Sequence, residues 1–267
     1  MSNDLVVIKI ENSIAEVYLN RVEKHNSLTL EMFSAIADAG QSLQENRDVR
    51  VAILYGAGPS FCAGLDFSLM TKILEQGSSG DAVIAALIGK SGQNENLAQR
   101  VAMIWQQVDF PVIAAIEGAA FGGGFQIAMG CDFRIASPDA KFSIMELHYG
   151  LVPDMGITKT LPGILRKDQA LELALTARQF DAREALQLGV VTKIEKNYLG
   201  KARELAAEIS ARSPDAVRGC KKLFNTAWKS SQDESLELEA LIQGRLLGSP
   251  DQREAVLAAL EKRSARF

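Results

Sequence analysis

The sequence predicts an α/β core followed by an all-helical tail, and three observations carry that prediction. Short β-rich runs alternate with segments of helical periodicity through the earlier part of the chain. Two of those runs, Val51–Tyr55 and Val112–Ile116, are continuously apolar, as strands covered on both faces must be. From about Asp181 onward the start and stop signals are those of helices.

In chain order, Leu5–Ile10 and Ile14–Leu19 flank Glu11-Asn12-Ser13 and read as a hairpin. Thr29 can cap a helix whose apolar residues Met32, Ile36 and Leu43 fall near helical spacing, ending around Glu45. Val51–Tyr55 and Val112–Ile116 follow as buried strands. Between them, Gln76–Glu95 is rich in Gly, Ser and Asn around an apolar patch at Val83–Ile88, the pattern of a mobile loop or lid with a short helix. Phe133–Ala136 and Phe142–Met145 are further short strands. Asp181 with Glu184 makes a capping-box-like start, and Gly189 can close that helix. Ser213-Pro214 and Ser249-Pro250 each place a cap residue before a proline at the first helical position. The tail is expected to hold three or four helices and no strand. The resulting division is a core over residues 1–200 and a helical region over 201–267.

Composition narrows the function. The 267 residues are 47% hydrophobic and 23% charged, ordinary values for a folded globular chain, and the length fits one large domain. A net charge of −4 gives no electrostatic reason to expect nucleic acid or an anionic membrane as partner. Cys62, Cys131 and Cys220 cannot form a disulfide framework, and two histidines, His25 and His148, make a His-rich metal centre implausible. The start, Met-Ser-Asn-Asp, has no basic n-region, so the expected address is cytoplasmic. Pro111–Cys131 is the most membrane-like stretch, but it holds Glu117, Gln126 and a Gly122-Gly123-Gly124 run. A buried strand, a tight turn and a buried helix explain it better than a span.

Several motifs fail on context. Gly56-Ala57-Gly58-Pro59-Ser60-Phe61 begins like a dinucleotide fingerprint but lacks the last glycine. Gly89-Lys90-Ser91 resembles the end of a P-loop, yet Ile84 occupies the place of its earlier glycine. Two glycine-bearing turns remain: Ser60–Asp66 after one buried strand, and Gly118–Gln126 after the other, opening a helix. Small residues there let a ligand approach the backbone, and free N–H groups at such turns could form an oxyanion hole. By glycine content alone, a pair of tight strand–helix turns in a packed core is the plainer reading.

Combined with the stretch Leu19-Asn20-Arg21-Val22-Glu23-Lys24-His25-Asn26-Ser27-Leu28, these turns, Phe142–Gly156 and Asp181–Val191 resemble the crotonase (enoyl-CoA hydratase/isomerase) superfamily along nearly the whole chain. The resemblance implies a crotonase-like α/β spiral of ββα units and a C-terminal helical region that packs trimers, often paired as hexamers. It implies an acyl-CoA thioester as substrate, with coenzyme A part of that substrate and no separate cofactor or metal. Lys24, Asn26 and Leu28, with Ala63, Gly64 and Asp66, would line the coenzyme A path, largely through backbone groups. The oxyanion-hole N–H groups would be those of Leu65 and Gly123.

The same resemblance makes Glu146 an acid/base residue. The position of a second hydratase glutamate falls on Gln126, which could orient water or substrate but cannot act as a general base. Asp154, eight residues after Glu146, gives a carboxylate pattern similar to the dienoyl-CoA isomerase branch. A helix N-cap is an equal alternative for Asp154. His148 is expected to be a structural or pocket-edge residue rather than a catalyst, and Lys221 and Lys222 to lie on a solvated helix face rather than reach coenzyme A phosphates. Double-bond isomerisation is the leading expectation, with hydration of a 2-trans-enoyl-CoA, or acyl-CoA binding with little turnover, as alternatives.

Overall fold

The computed structural model describes residues 4–76, 82–89 and 95–267. The hairpin is as expected: β1 (Val6–Glu11) pairs antiparallel with β2 (Ile14–Leu19), from Val6 opposite Leu19 to Glu11 opposite Ile14. Its two-residue turn, Asn12 and Ser13, has both φ angles positive (50° and 63°), which matches the twist of the flanking strands. After a short turn at Val22–Lys24, α1 (Leu30–Glu45) starts on the Thr29 side chain, which accepts from the Met32 N–H. That helix is the crossover to β3 (Val51–Gly56), which lies parallel to β2.

The next crossover contains α2 (Phe67–Gln76), α3 (Ala82–Ile88) and α4 (Leu97–Gln107), of which only the short middle helix was legible in the sequence. The rest of the expected lid, together with Lys90 and Ser91, lies partly outside the described residues. Two successive units then share one order. β4 (Val112–Ile116) joins the large sheet, β5 (Ala119–Phe121) joins a smaller one, and α5 (Gly123–Gly130) follows. β6 (Phe133–Ala136) and β7 (Lys141–Ser143) repeat this arrangement before α6 (Ile157–Thr160). The strand expected at Phe142–Met145 is thus earlier and shorter, because the chain winds into a 3-10 turn at Glu146–Tyr149. Pro111–Cys131 is the interior strand–turn–helix unit anticipated for it.

α7 (Lys167–Thr176), β8 (Phe180–Asp181), α8 (Ala182–Gln187) and β9 (Lys193–Ile194) complete the core. Asp181 caps α8 by accepting from the Glu184 N–H, one arm of the expected capping box. The large sheet runs β1-β2-β3-β4-β6-β9 and the small one β5-β7-β8. Alternate residues of the central strands feed two separate cores. Ala52, Leu54, Val112, Ala114 and Ile116 face the main core with α1, α4 and α5. Val51, Ile53, Ile113 and Ala115 face α9 (Tyr198–Ser210) through its buried Ala202 and Ala206.

The division expected at residue 200 therefore falls inside a helix that covers the sheet. α10 (Pro214–Ala227), α11 (Gln232–Leu246) and α12 (Pro250–Glu261) follow, with Ser213 and Ser249 capping before prolines as expected. Lys221 corrects its expectation. It is buried, its Nζ bonded to the carbonyls of Trp105 (2.9 Å) and Phe110 (2.8 Å) and paired with Asp132 (2.8 Å). That ammonium fastens α10 to the core, whereas Lys222 is exposed.

Candidate active site

The two glycine-bearing turns are stitched together by main chain. The Cys62 N–H donates to the Ala119 carbonyl (2.9 Å), and the Phe121 N–H donates to the Cys62 carbonyl (3.0 Å). A side chain at Gly124 would place its Cβ 2.2 Å from the Cys62 carbonyl oxygen, so only glycine permits this approach. On the other side, the Leu28 N–H donates to Gly64 O (2.8 Å) and Leu28 O accepts from the Asp66 N–H (3.0 Å). In such a parallel bridge Leu28 bonds to the residues on either side of Leu65, and the Leu65 N–H faces away from it. Gly123 opens α5, where N–H groups have no partner within the helix. Among the described residues, neither the Leu65 nor the Gly123 N–H donates a hydrogen bond. Both residues line one cavity of about 380 Å³. The turns are near neighbours: a Cβ built on Gly64 would lie 3.7 Å from the Gly123 nitrogen.

Glu146 and Asp154 line the same cavity, among walls that are mostly apolar. Burial pushes the Glu146 carboxyl above the ordinary carboxylate range, with the Asp154 charge adding to the rise and hydrogen bonds opposing it. Glu146 Oε1 accepts from Gln126 Nε2 (2.6 Å), while Oε2 is buried without a hydrogen-bond partner. Asp154 is exposed as a residue, yet partial burial of its carboxyl against the cavity wall also raises it. It does not cap a helix, since α6 begins at Ile157 with Gly156 (φ 82°) in the cap position.

Of the residues expected to bind substrate, Leu28, Ala63 and Gly64 line the cavity, whereas Lys24, Asn26, Asp66 and Gln126 do not. Asn26 is fully buried, donating to the carbonyls of Ala57, Ser60 and Phe61 and accepting from the Arg21 N–H. Asp66 pairs with Arg21 and accepts from Ser27 and Ser68. Burial would raise its carboxyl, but those hydrogen bonds overcome it and hold the group well below the usual range. These side chains brace the turns. Lys24 is exposed, and His148 is exposed with its ring edge-on to Tyr149 at 5.0 Å. Sequence reasoning passed over Phe33, Met70, Tyr149 and Val152, which shape the cavity. Nothing in their spacing marks them, because they come from three segments far apart in the chain.

Known proteins resemble this chain over nearly its whole length. Residues 9–267 match the family model described as Enoyl-CoA hydratase/isomerase. The peroxisomal Delta(3,5)-Delta(2,4)-dienoyl-CoA isomerase of Arabidopsis thaliana is 37% identical, over 96% of this chain and 93% of its own. The crotonyl-CoA hydratase of Syntrophomonas wolfei is 32% identical, over 100% of this chain and 99% of its own. The crystal structure of an enoyl-CoA hydratase from Polaromonas sp. JS666 superposes with a TM-score of 0.88 at 28% identity, covering 98% of this chain and 99% of that one. The two sheets and C-terminal helices are thus the crotonase fold. With the match running over almost its entire length, the chain belongs to the enoyl-CoA hydratase/isomerase family.

Proposed function

We propose that this crotonase-family enzyme moves a carbon–carbon double bond within an unsaturated fatty acyl-CoA. The observation that carries the reading is two carboxyls, Glu146 and Asp154, each raised in proton affinity by burial, in one apolar cavity with two unengaged main-chain N–H groups. The Leu65 and Gly123 N–H groups would donate to the thioester oxygen as it gains negative charge. One carboxylate takes a C–H proton, and the electron pair shifts through the acyl chain onto that oxygen. The other carboxyl returns a proton at a distant carbon, so the product is an isomer of the substrate. Like-charged neighbours in an apolar site separate in proton affinity, which suits one to accept and the other to donate.

Hydration of a 2-trans-enoyl-CoA is the second reading, favoured by the full-length similarity to a crotonyl-CoA hydratase. It asks Gln126 to hold a water, but both ends of that amide are already engaged, by Glu146 and by the Met155 N–H (2.8 Å). Turnover of 3,5-dienoyl-CoA and 2-enoyl-CoA by purified protein and by Asp154→Asn tests the choice. Isomerisation that collapses in the variant supports the proposal; fast hydration that survives it, with no isomerisation, refutes it. Acyl-CoA binding without α-proton exchange in deuterated water would mark a binding protein instead.

We also propose a homotrimer, or a pair of trimers, built on the helical region. Its support is large apolar side chains left at the surface of the helical region, among them Trp228, which closes α10, at 77% and Leu260 of α12 at 76% exposure. Light scattering that returns a monomer mass refutes it.

A further inference from the structure

The Met155 main-chain N–H is a donor that cannot change its role, so the Gln126 atom facing it at 2.8 Å must be the amide oxygen. The amide nitrogen is thereby turned toward Glu146 Oε1, at 2.6 Å. Gln126 is fully buried, and its amide links the segment before α6 to the Glu146 turn. An amide N–H donates at every pH. The donor fills one of the two lone-pair positions of Oε1, and its positive hydrogen disfavours a proton on that oxygen. Oε2, buried and without a partner, is the oxygen left free to change state.

We propose that Gln126 is a positioning residue for Glu146: it keeps Oε1 occupied and so biases this carboxyl to take up and release its proton at Oε2. The inference rests on the acid/base reading of Glu146 given above. Its consequence is geometric. A carboxyl free to turn about its Cγ–Cδ bond offers two equivalent oxygens, whereas one pinned by Gln126 keeps its two oxygens distinct.

The surroundings contain few other charges that could produce the same effect. Asp154 is the ionisable neighbour across the cavity, and Tyr149 lines it from the Glu146 turn. His148 on that turn is exposed, α5 carries no titratable side chain, and Lys141 on β7 is exposed. Lys167, Asp168 and Glu172 of α7, which packs against the turn, are also exposed. The Gln126 hydrogen bond favours the ionised form of Glu146 against the larger effect of burial.

The test is the titration of Glu146, followed by infrared carboxyl difference bands assigned through Glu146→Gln, in the unsubstituted chain, Gln126→Met and Gln126→Glu. Loss of the donor in Gln126→Met should raise the midpoint by about one pH unit, a tenfold rise in proton affinity. Gln126→Glu keeps the acceptor for the Met155 N–H and the side-chain shape, so it protects against a trivial folding failure. It sets a second carboxyl against Oε1, and its shift should be larger, because two such oxygens must share a proton. The limb of the activity profile governed by Glu146 should move in the same direction. A midpoint that stays put in Gln126→Glu overturns the proposal, even if activity falls. Absence of dienoyl-CoA isomerisation in the unsubstituted protein would instead refute the proposed reaction, and the titration would still read the role of Gln126.

Discussion

Gly64→Ala separates the strain of a backbone angle from damage to the paired N–H groups. Gly64 has φ +90°, and an added Cβ would sit 2.8 Å from the Phe121 carbonyl oxygen, closer than real side chains come. Something must move, and Phe121 leads directly into Gly122 and Gly123, while Gly64 leads into Leu65. Both proposed donors are therefore displaced by one methyl group. Gly163 is the control: its φ is +89°, and an added Cβ would meet nothing within 4 Å. Gly163→Ala should cost about 1–2 kcal/mol of stability, the ordinary penalty of that conformation, with turnover unchanged. Gly64→Ala should cost a similar or somewhat larger amount, about 1–3 kcal/mol. Its kcat should fall about 100- to 1,000-fold, the range for losing one donor of an oxyanion hole. Urea unfolding gives the first quantity and acyl-CoA turnover under saturating substrate the second. Equal turnover in the two variants would refute the assignment of Leu65 and Gly123.

Three further substitutions test the electrostatics. Burial makes Glu146 bind its proton more tightly when folded than when unfolded, so its contribution to stability is full below the ordinary value of 4.5 and is lost as pH rises through the folded value. Glu146→Gln should therefore raise the thermal midpoint at pH 7, with the gain shrinking below pH 4.5; a gain independent of pH would contradict this. Asp66 has the opposite sign: held below its ordinary 3.8, it contributes above that pH and loses the contribution as pH falls through the folded value. Asp66→Asn should cost about 3–5 kcal/mol at neutral pH by urea unfolding, as for a buried ion pair losing one member, and the cost should fade in acid. Lys221→Met leaves Asp132 and two carbonyls without their shared donor and should cost a similar 3–5 kcal/mol. A loss under about 1 kcal/mol would mean that α10 is held by packing instead.

What could be read from the sequence was whatever depends on neighbours along the chain. Thr29, Asp181, Ser213 and Ser249 act on N–H groups three residues away, and each caps where expected. The unbroken apolar runs at Val51 and Val112 required cover on both faces, and two cores supply it. Lys221 was misjudged because its three acceptors come from residues 105, 110 and 132, far away in sequence. Lys24, Asn26 and Asp66 belong to recognisable motifs, but whether such a side chain meets a cavity or braces a turn depends on contacts that no local pattern encodes. The same holds for Gln126. Its residue type excludes general-base chemistry from sequence alone, but its hold on Glu146 exists only once residues 126, 146 and 155 meet.

The hydrogen-bonded seam between Cys62 and Ala120 has a consequence for how this protein can change. The groups assigned to hold the thioester oxygen are peptide N–H groups, which every residue except proline carries and point substitution rarely deletes. The groups assigned to move protons are side chains on other segments, each replaceable by a single codon. Grip and reaction are thus inherited separately. A descendant that lost both carboxyls would still grasp a thioester, and new side chains opposite that grip could redirect its reaction without rebuilding the seam.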